Sequence, residues 1–168
     1  WLNLYRNQRQ EQGITAPLNI AAFWSLPSEP ELEPLLLQWV DDPELHVSLP
    51  CVVNEDEALV FKPWNEDTQL KPAKFGVHEP DTDLIAPDPD MILVPTLGFT
   101  RQVDRMGYGK GYYDRPLAQL RAKEKKFVSI GIAWAVGDLS AYSYLPAPHD
   151  QRLDSILTDK GWAVPAPN

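Results

Sequence analysis

MILVPTLGFTRQVDRMGYGKGYYDR, residues 91–115, indicates both the fold of the chain and a ligand site. It begins with MILVP, a short run of apolar residues that predicts a strand buried on both faces of a sheet. Three alternate glycines follow, and a helix is expected from Arg115 to Lys126, with Asp114 as N-cap. A buried strand, a loop and a helix in this order are the repeating unit of an α/β fold.

The same alternation continues on both sides of this stretch. We predict helices in residues 1–12 and from a capping box of Ser28 and Glu31 through Val40. Further strands are predicted in LNIAAFWS (18–25), HVSLPCVV (46–53), ALVFKPW (58–64), FVSIGIAW (127–134) and LDSILT (153–158). Residues 65–90 are expected to be mostly loop, and the tail AVPAPN a loose end. The fold class is therefore α/β with a largely parallel sheet, whose ligands bind beyond the carboxyl ends of the strands.

Composition and charge exclude several classes of protein. The 168 residues are expected to form one domain, 1–168, and with Cys51 as the single cysteine they contain no internal disulfide or cysteine-based zinc site. A net charge of −9 argues against a nucleic acid as partner, and no apolar run reaches the length of a membrane span. The start of the chain does not resemble a signal peptide, so we expect a cytoplasmic protein.

Basic residues are concentrated around the glycines, where eight Lys and Arg stand against three acids between positions 101 and 126. Those from Arg121 onward are typical of a solvated helix face, but Arg105 and Lys110 precede the helix. Glycines let successive backbone N–H groups hold an anion, and the two cations suit a polyphosphate. The spacing fits neither a Walker A loop nor a dinucleotide fingerprint, so a tight turn without a ligand stays open.

The polar and aromatic residues around this loop have two interpretations each. Asp114 either caps the helix or binds a magnesium ion carried by phosphates. Tyr112 and Tyr113 either stack on a flat ring or pack in the core, and we expect Tyr113 to be buried. The pair His149-Asp150 has no function that its spacing alone reveals. The residues by themselves predict an anion site in an α/β domain.

The run PTLGFTRQVDRMGYGKGYYDR resembles the signature of the 5-formyltetrahydrofolate cyclo-ligases, also called 5,10-methenyltetrahydrofolate synthetases, with P-x-x-G-F-D followed by R-L-G-x-G-x-G-Y-Y-D-R. The segments FWSLPSEPEL, LPCVV, FGVHEP and PHDQRLDSILTDKG are also similar to that family, so the likeness extends from Ile20 to Gly161. It implies a three-layer α/β/α sandwich. It also implies cyclisation of 5-formyltetrahydrofolate to 5,10-methenyltetrahydrofolate with ATP and Mg²⁺, through a phosphorylated formyl group. We expect a monomer.

The resemblance also implies roles for individual residues. The ATP loop would comprise Arg105, Met106, Gly107, Tyr108, Gly109, Lys110, Gly111, Tyr112 and Tyr113, with Lys110 and Arg105 as the catalytic cations. Folate contacts would come from Trp24, Glu29, Tyr108, Gly109, Lys110, Gly111 and Tyr112, although Trp24 could equally pack in the core. Asp114 and Asp150 would bind the magnesium ion.

The chain departs from the family at several positions. We expect the chain to begin after the family's N-terminal helix with its basic pair, so Arg6 and Arg9 are given no role, and either those residues are missing from this sequence or the ATP site is altered. Thr100 replaces the usual Asp, and Val103 replaces a turn glycine, which we expect to reshape the turn because a β-branched residue tolerates positive φ poorly. These departures motivate one alternative, a non-catalytic folate or nucleotide binder, and a third hypothesis is an ATP-using enzyme of the same fold that acts on another amide-like substrate.

Overall fold

The computed structural model describes residues 1–168 and contains three helices, α1 (Leu2–Glu11), α2 (Glu33–Val40) and α3 (Asp114–Ala122). None of the three is long and apolar enough to cross a membrane. The strands are β1 (Leu18–Ala21), β2 (Leu45–Cys51), β3 (Val60–Pro63), β4 (Leu70–Pro72), β5 (His78–Pro80), β6 (Met91–Pro95), β7 (Gly98–Phe99), β8 (Arg105–Met106), β9 (Val128–Ala133), β10 (Ser155–Thr158) and β11 (Gly161–Val164).

Seven strands form one sheet in the order β11-β10-β9-β6-β1-β2-β3. The five central strands are parallel, and the edge strands β3 and β11 are antiparallel to their neighbours. The remaining strands form two small antiparallel pairs, β4 with β5 and β7 with β8. The predicted α/β fold with a largely parallel sheet is confirmed.

The two faces of the sheet are covered by different helices. Ile20 points to one face, where it shares a buried cluster with Leu36 of α2 and where residues of α1 pack. Its neighbour Ala21 points to the opposite face, in a cluster with Leu117 of α3. Successive residues of a strand point to opposite faces, and helices cover both of them. This explains why all five residues of β6 are buried. The three-layer α/β/α arrangement is therefore also confirmed.

Several local predictions were wrong. The helix α2 begins at Glu33 and not at Ser28, since Pro30 disfavours the helical conformation at the residue before it. The N-cap of α3 is Tyr113, so Asp114 is inside the helix and does not cap it. Residues 65–90 are mostly loop, as predicted, apart from the short strands β4 and β5 and the 3-10 turn Lys74–Gly76, whereas the tail is not loose. It contributes β11, and the carbonyl of Pro167 accepts a hydrogen bond from the Trp1 indole at 2.8 Å.

The turn before the glycines keeps a left-handed residue at Val103, whose φ is 62°. The Val103 N–H donates to the Thr100 carbonyl at 3.1 Å, and the Thr100 hydroxyl donates to the carboxylate of Asp104 at 2.9 Å. Val103 therefore takes the positive φ that a β-branched residue is expected to resist. The polar side chains and backbone of the turn hold Val in a conformation that costs a β-branched residue free energy.

Candidate functional site

Residues 105–114 separate two cavities at the carboxyl edge of the sheet. The larger cavity has a volume of about 790 Å³ and the smaller of about 220 Å³. Both are lined by Pro95 at the end of β6 and by four loop residues, Tyr108, Lys110, Tyr112 and Tyr113. The loop is therefore a shared wall, with side chains that reach whatever occupies either cavity.

The guanidinium of Arg105 fills the space beside Gly107. The guanidinium donates from Nε and Nη2 to the Pro95 carbonyl at 3.0 and 2.9 Å, and its Cζ lies 5.3 Å from the centre of the Tyr113 ring. A Cβ at Gly107 would lie 2.6 Å from Arg105 Nη2, closer than real atoms approach. Burial lowers the pKa of Arg105, while Tyr113 and Asp114 act in the opposite direction. Arg105 thus forms a fixed positive charge packed against the loop backbone.

Gly109 and Gly111 serve the backbone conformation instead. Their φ angles are 83° and 67°, whereas Tyr108 and Lys110 do not have positive φ. A Cβ at Gly109 would contact nothing, so steric space does not explain that glycine. Left-handed residues that alternate with residues of negative φ meet one requirement of a backbone nest, in which successive N–H groups surround an anion. Lys110 is exposed and forms no salt bridge, so its ammonium group is available to the same anion.

Three potential metal ligands meet at the edge of the smaller cavity. One ligand atom each from Asp114, His149 and Asp150 lies within 4.8 Å of the others. The Asp114 carboxylate accepts from the Gln151 N–H at 2.9 Å, and the Asp150 carboxylate accepts from the Ala147 N–H at 2.8 Å. These bonds orient both carboxylates while leaving oxygen lone pairs free. Carboxylate oxygens beside a phosphate site are the ligands that Mg²⁺ prefers.

The larger cavity is mostly apolar and is lined by three carboxylates, of which Glu29 and Glu79 are more buried than Glu55. Glu29 accepts from the Leu26 N–H at 2.7 Å and from the Tyr108 hydroxyl at 3.1 Å. Burial raises the pKa of Glu29, and burial together with the Glu29 charge raises the pKa of Tyr108 to about 12. Glu79 is 9% exposed and accepts from the Val52 N–H at 3.1 Å. A cavity of this kind suits a flat ring with several N–H donors.

The structure brings the predicted site residues together. All nine residues from Arg105 to Tyr113 line the smaller cavity, along with Asp114 and Asp150. Trp24, Glu29, Tyr108, Lys110 and Tyr112 line the larger one, whereas Gly109 and Gly111 do not. Trp24 also packs edge-on against Trp64 at 5.6 Å, so it belongs to both cavity and core. Tyr113 is 7% exposed, as expected.

Two acceptors at the site were missed from the sequence. The sequence around Glu79, FGVHEP, carries no signal of a role for this residue, and only its burial in the cavity wall shows that it lies at the site. The sequence around His149 indicates a loop and gives no sign of a ligand, although the resemblance implies a role for its neighbour Asp150. Nε2 of His149 lies 3.4 Å from Asp150, and 35 residues of chain separate His149 from Asp114, so spacing alone could not place it at the cluster.

Comparison with known proteins is consistent with this geometry. Residues 8–159 match the model of the 5-formyltetrahydrofolate cyclo-ligase family. A 5-formyltetrahydrofolate cyclo-ligase of Mycoplasma pneumoniae is 42% identical over 73 residues, which is 42% of this chain and 40% of that protein. The Haemophilus influenzae protein of the same name is 27% identical over 83% of this chain and 74% of its own.

A solved structure gives the same result. The NMR structure of 5,10-methenyltetrahydrofolate synthetase from Aquifex aeolicus superimposes with a TM-score of 0.67 and 26% identity, covering 94% of this chain and 76% of that one. The fold comparison with the Aquifex aeolicus structure thus covers nearly the whole chain. The sequence match to the Mycoplasma pneumoniae protein is shorter and spans well under half of that protein's length.

Proposed function

The chain belongs to the 5-formyltetrahydrofolate cyclo-ligase family, and from this we propose that it cyclises 5-formyltetrahydrofolate to 5,10-methenyltetrahydrofolate, with conversion of ATP to ADP and phosphate. One observation supports this proposal above the others. Residues 105–114 line a cavity suited to phosphates on one side and a cavity suited to a pterin on the other. A phosphoryl transfer between two substrates needs such an arrangement, because donor and acceptor must lie nearly in contact.

The reaction has two steps. The formyl oxygen on N5 is a poor leaving group, so it first attacks the γ-phosphorus of ATP, and the bond from phosphorus to the ADP oxygen breaks. The lone pair of N10 then attacks the formyl carbon and closes the five-membered ring. Phosphate departs with the electrons of the carbon–oxygen bond, and N10 loses its proton to solvent. The net products are the methenyl compound, ADP and phosphate.

The loop supplies the charge neutralisation that phosphoryl transfer requires. The N–H groups around Gly109 and Gly111 would hold the phosphate oxygens. The unpaired ammonium group of Lys110 would stabilise the negative charge of the γ-phosphoryl group during its transfer to the formyl oxygen. Arg105 contributes a positive charge that its bonds to Pro95 keep in place. Because these groups are positioned before the substrates arrive, little reorganisation opposes the reaction.

Asp114 and Asp150 fit a magnesium ion brought in with the nucleotide, and His149 is near enough to be a third ligand. A Mg²⁺ ion held by these residues would supply Lewis-acid neutralisation of the phosphate charge. The protein's own part is to orient the two carboxylates, which it does through the N–H groups of Gln151 and Ala147.

The larger cavity would hold the folate. Glu29 and Glu79 are acceptors for the amino and ring N–H groups of the pterin, and the indole of Trp24 offers a flat surface beside them. Tyr108 donates to Glu29 and belongs to the glycine loop, so it links the pterin acceptor to the phosphate site.

Turnover by the purified protein tests the proposal. With 5-formyltetrahydrofolate, ATP and Mg²⁺, methenyl absorbance should rise and ADP should form in equal amount, with omission of either ATP or Mg²⁺ abolishing both. The variant Lys110→Ala should lose most of the rate, while Lys126→Ala, which removes an exposed lysine outside both cavities, should not. Tight folate binding without any turnover would reject the proposal in favour of a non-catalytic binder. Turnover of another formylated compound alone would indicate a different substrate.

A further inference from the structure

Lys74 lies at the mouth of the larger cavity, in the short 3-10 turn Lys74–Gly76 between β4 and β5. Its side chain is 67% exposed, and Nζ lies 2.7 Å from the carboxylate of Glu55, which lines the same cavity and is 56% exposed. Apart from Lys110 of the glycine loop, no other lysine or arginine lines this cavity. An exposed ion pair of this kind contributes little to stability, so its two members can exchange partners readily.

The charged groups of the cavity differ in burial between its inner end and its mouth. Its carboxylates at Glu29 and Glu79 are half-buried and buried, whereas Lys74 and Glu55 face solvent. A pterin bound by its N–H donors to the inner carboxylates would therefore leave the glutamate end of the folate at the mouth. That end carries the carboxylates of the molecule, and the protein carries a net charge of −9 that disfavours them.

Tyr112 adds a second observation that points to a ligand. Its hydroxyl is buried and has no hydrogen-bond partner. The residue lines the larger cavity, as Lys74 does. A buried donor without a partner costs free energy unless a ligand supplies an acceptor. The amide carbonyl that joins the benzoyl group of folate to its glutamate is an acceptor of this type.

We propose that Lys74 is a specificity residue that recognises the glutamyl tail of the folate, exchanging Glu55 for a tail carboxylate when substrate binds. This inference rests on the proposed function of the same cavity. Each additional γ-linked glutamate brings another carboxylate to the mouth, so folates with several glutamates bind more tightly than the monoglutamate. A folate lacking the tail leaves the Lys74–Glu55 pair intact.

Equilibrium binding of three ligands to three variants tests this assignment. The ligands are 5-formyltetrahydropteroate, which lacks glutamate, and the monoglutamyl and triglutamyl forms of 5-formyltetrahydrofolate. The variants are Lys74→Gln, Glu55→Gln and a control, Lys71→Gln, which removes an exposed lysine paired to Asp81 at 3.5 Å outside the cavity. Titrations are followed by tryptophan fluorescence, and initial rates are measured in parallel.

Lys74→Gln should reduce the preference for triglutamate over the tail-less ligand by about two- to fivefold, the range for one exposed charge pair. Glu55→Gln should raise that preference, because it frees the lysine, and Lys71→Gln should leave it unchanged. An unchanged preference in Lys74→Gln, an equal fall in Lys71→Gln, or no binding of any folate would overturn the assignment. Tail-dependent binding without turnover would instead support Lys74 and reject the catalytic proposal.

Discussion

Replacing Gly107 with alanine tests how the loop is packed. The added Cβ would lie 2.6, 2.8 and 2.9 Å from Nη2, Nη1 and Cζ of Arg105. Ordinary contact distances are about 3.5–4.0 Å, so the guanidinium must move by roughly 1 Å. Its bonds to the Pro95 carbonyl are 2.9 and 3.0 Å long and cannot both survive such a shift. Gly107 itself has no positive φ, so backbone strain adds nothing to the effect.

The expected cost is the loss of one hydrogen bond from a buried charged donor, about 1.5–3 kcal/mol. For a chain of 168 residues this corresponds to a fall in melting temperature of about 3–12 °C. Urea unfolding followed by the fluorescence of the six tryptophans measures the free energy directly.

The matched control repeats the substitution without the guanidinium. In an Arg105→Met background the clash with the planar group is absent, so Gly107→Ala should cost far less than it does in the natural sequence. An equal cost in both backgrounds would refute the reasoning, because it would show that Gly107 is required for some reason other than Arg105.

Other predictions concern the ligands and pH. Lys110→Ala should weaken binding of Mg-ATP about tenfold or more, and folate binding less, by isothermal titration; equal losses for both ligands would remove Lys110 from the phosphate site. Asp114→Asn should raise the Mg²⁺ concentration needed for nucleotide binding while the melting temperature changes little, because the amide oxygen still accepts from Gln151; a large thermal loss with normal Mg²⁺ dependence would make Asp114 structural. Glu29 has a raised pKa, so its contribution to stability is present at low pH and falls as pH rises through that pKa. Glu29→Gln should therefore stabilise the protein more at pH 7 than at pH 4 in urea unfolding, and a gain that is the same at both pH values would show that the carboxylate is not desolvated.

The central strands and the position of the glycine loop were predictable because their signals are local. MILVP is apolar at every position, which is typical of a strand covered on both faces of a sheet. The loop that follows a parallel strand lies at the carboxyl edge of the sheet. The charge and glycine pattern of residues 105–111 by itself predicts an anion-binding site, without reference to the fold.

What the sequence could not reveal depends on distant contacts. The Asp114 carboxylate is held by the backbone of Gln151, 37 residues away, and the helix cap expected of it is made by no side chain. Glu79 reaches the cavity through the β4–β5 hairpin, which its proline- and aspartate-rich surroundings concealed. The strained Val103 is retained because the surrounding turn holds it, and local conformational preferences alone argued against that geometry.

The central claim is that backbone amides of the glycine loop hold the phosphates of ATP beside the folate cavity. NMR of the protein with ¹⁵N-labelled glycine tests it most directly, because the nine glycines give few signals. On addition of a non-hydrolysable Mg-ATP analogue, the amide signals of Gly107, Gly109 and Gly111 should shift, whereas that of Gly13, which has a similar positive φ and lines neither cavity, should not. Signals of Gly107, Gly109 and Gly111 that do not shift at saturating nucleotide would contradict the account.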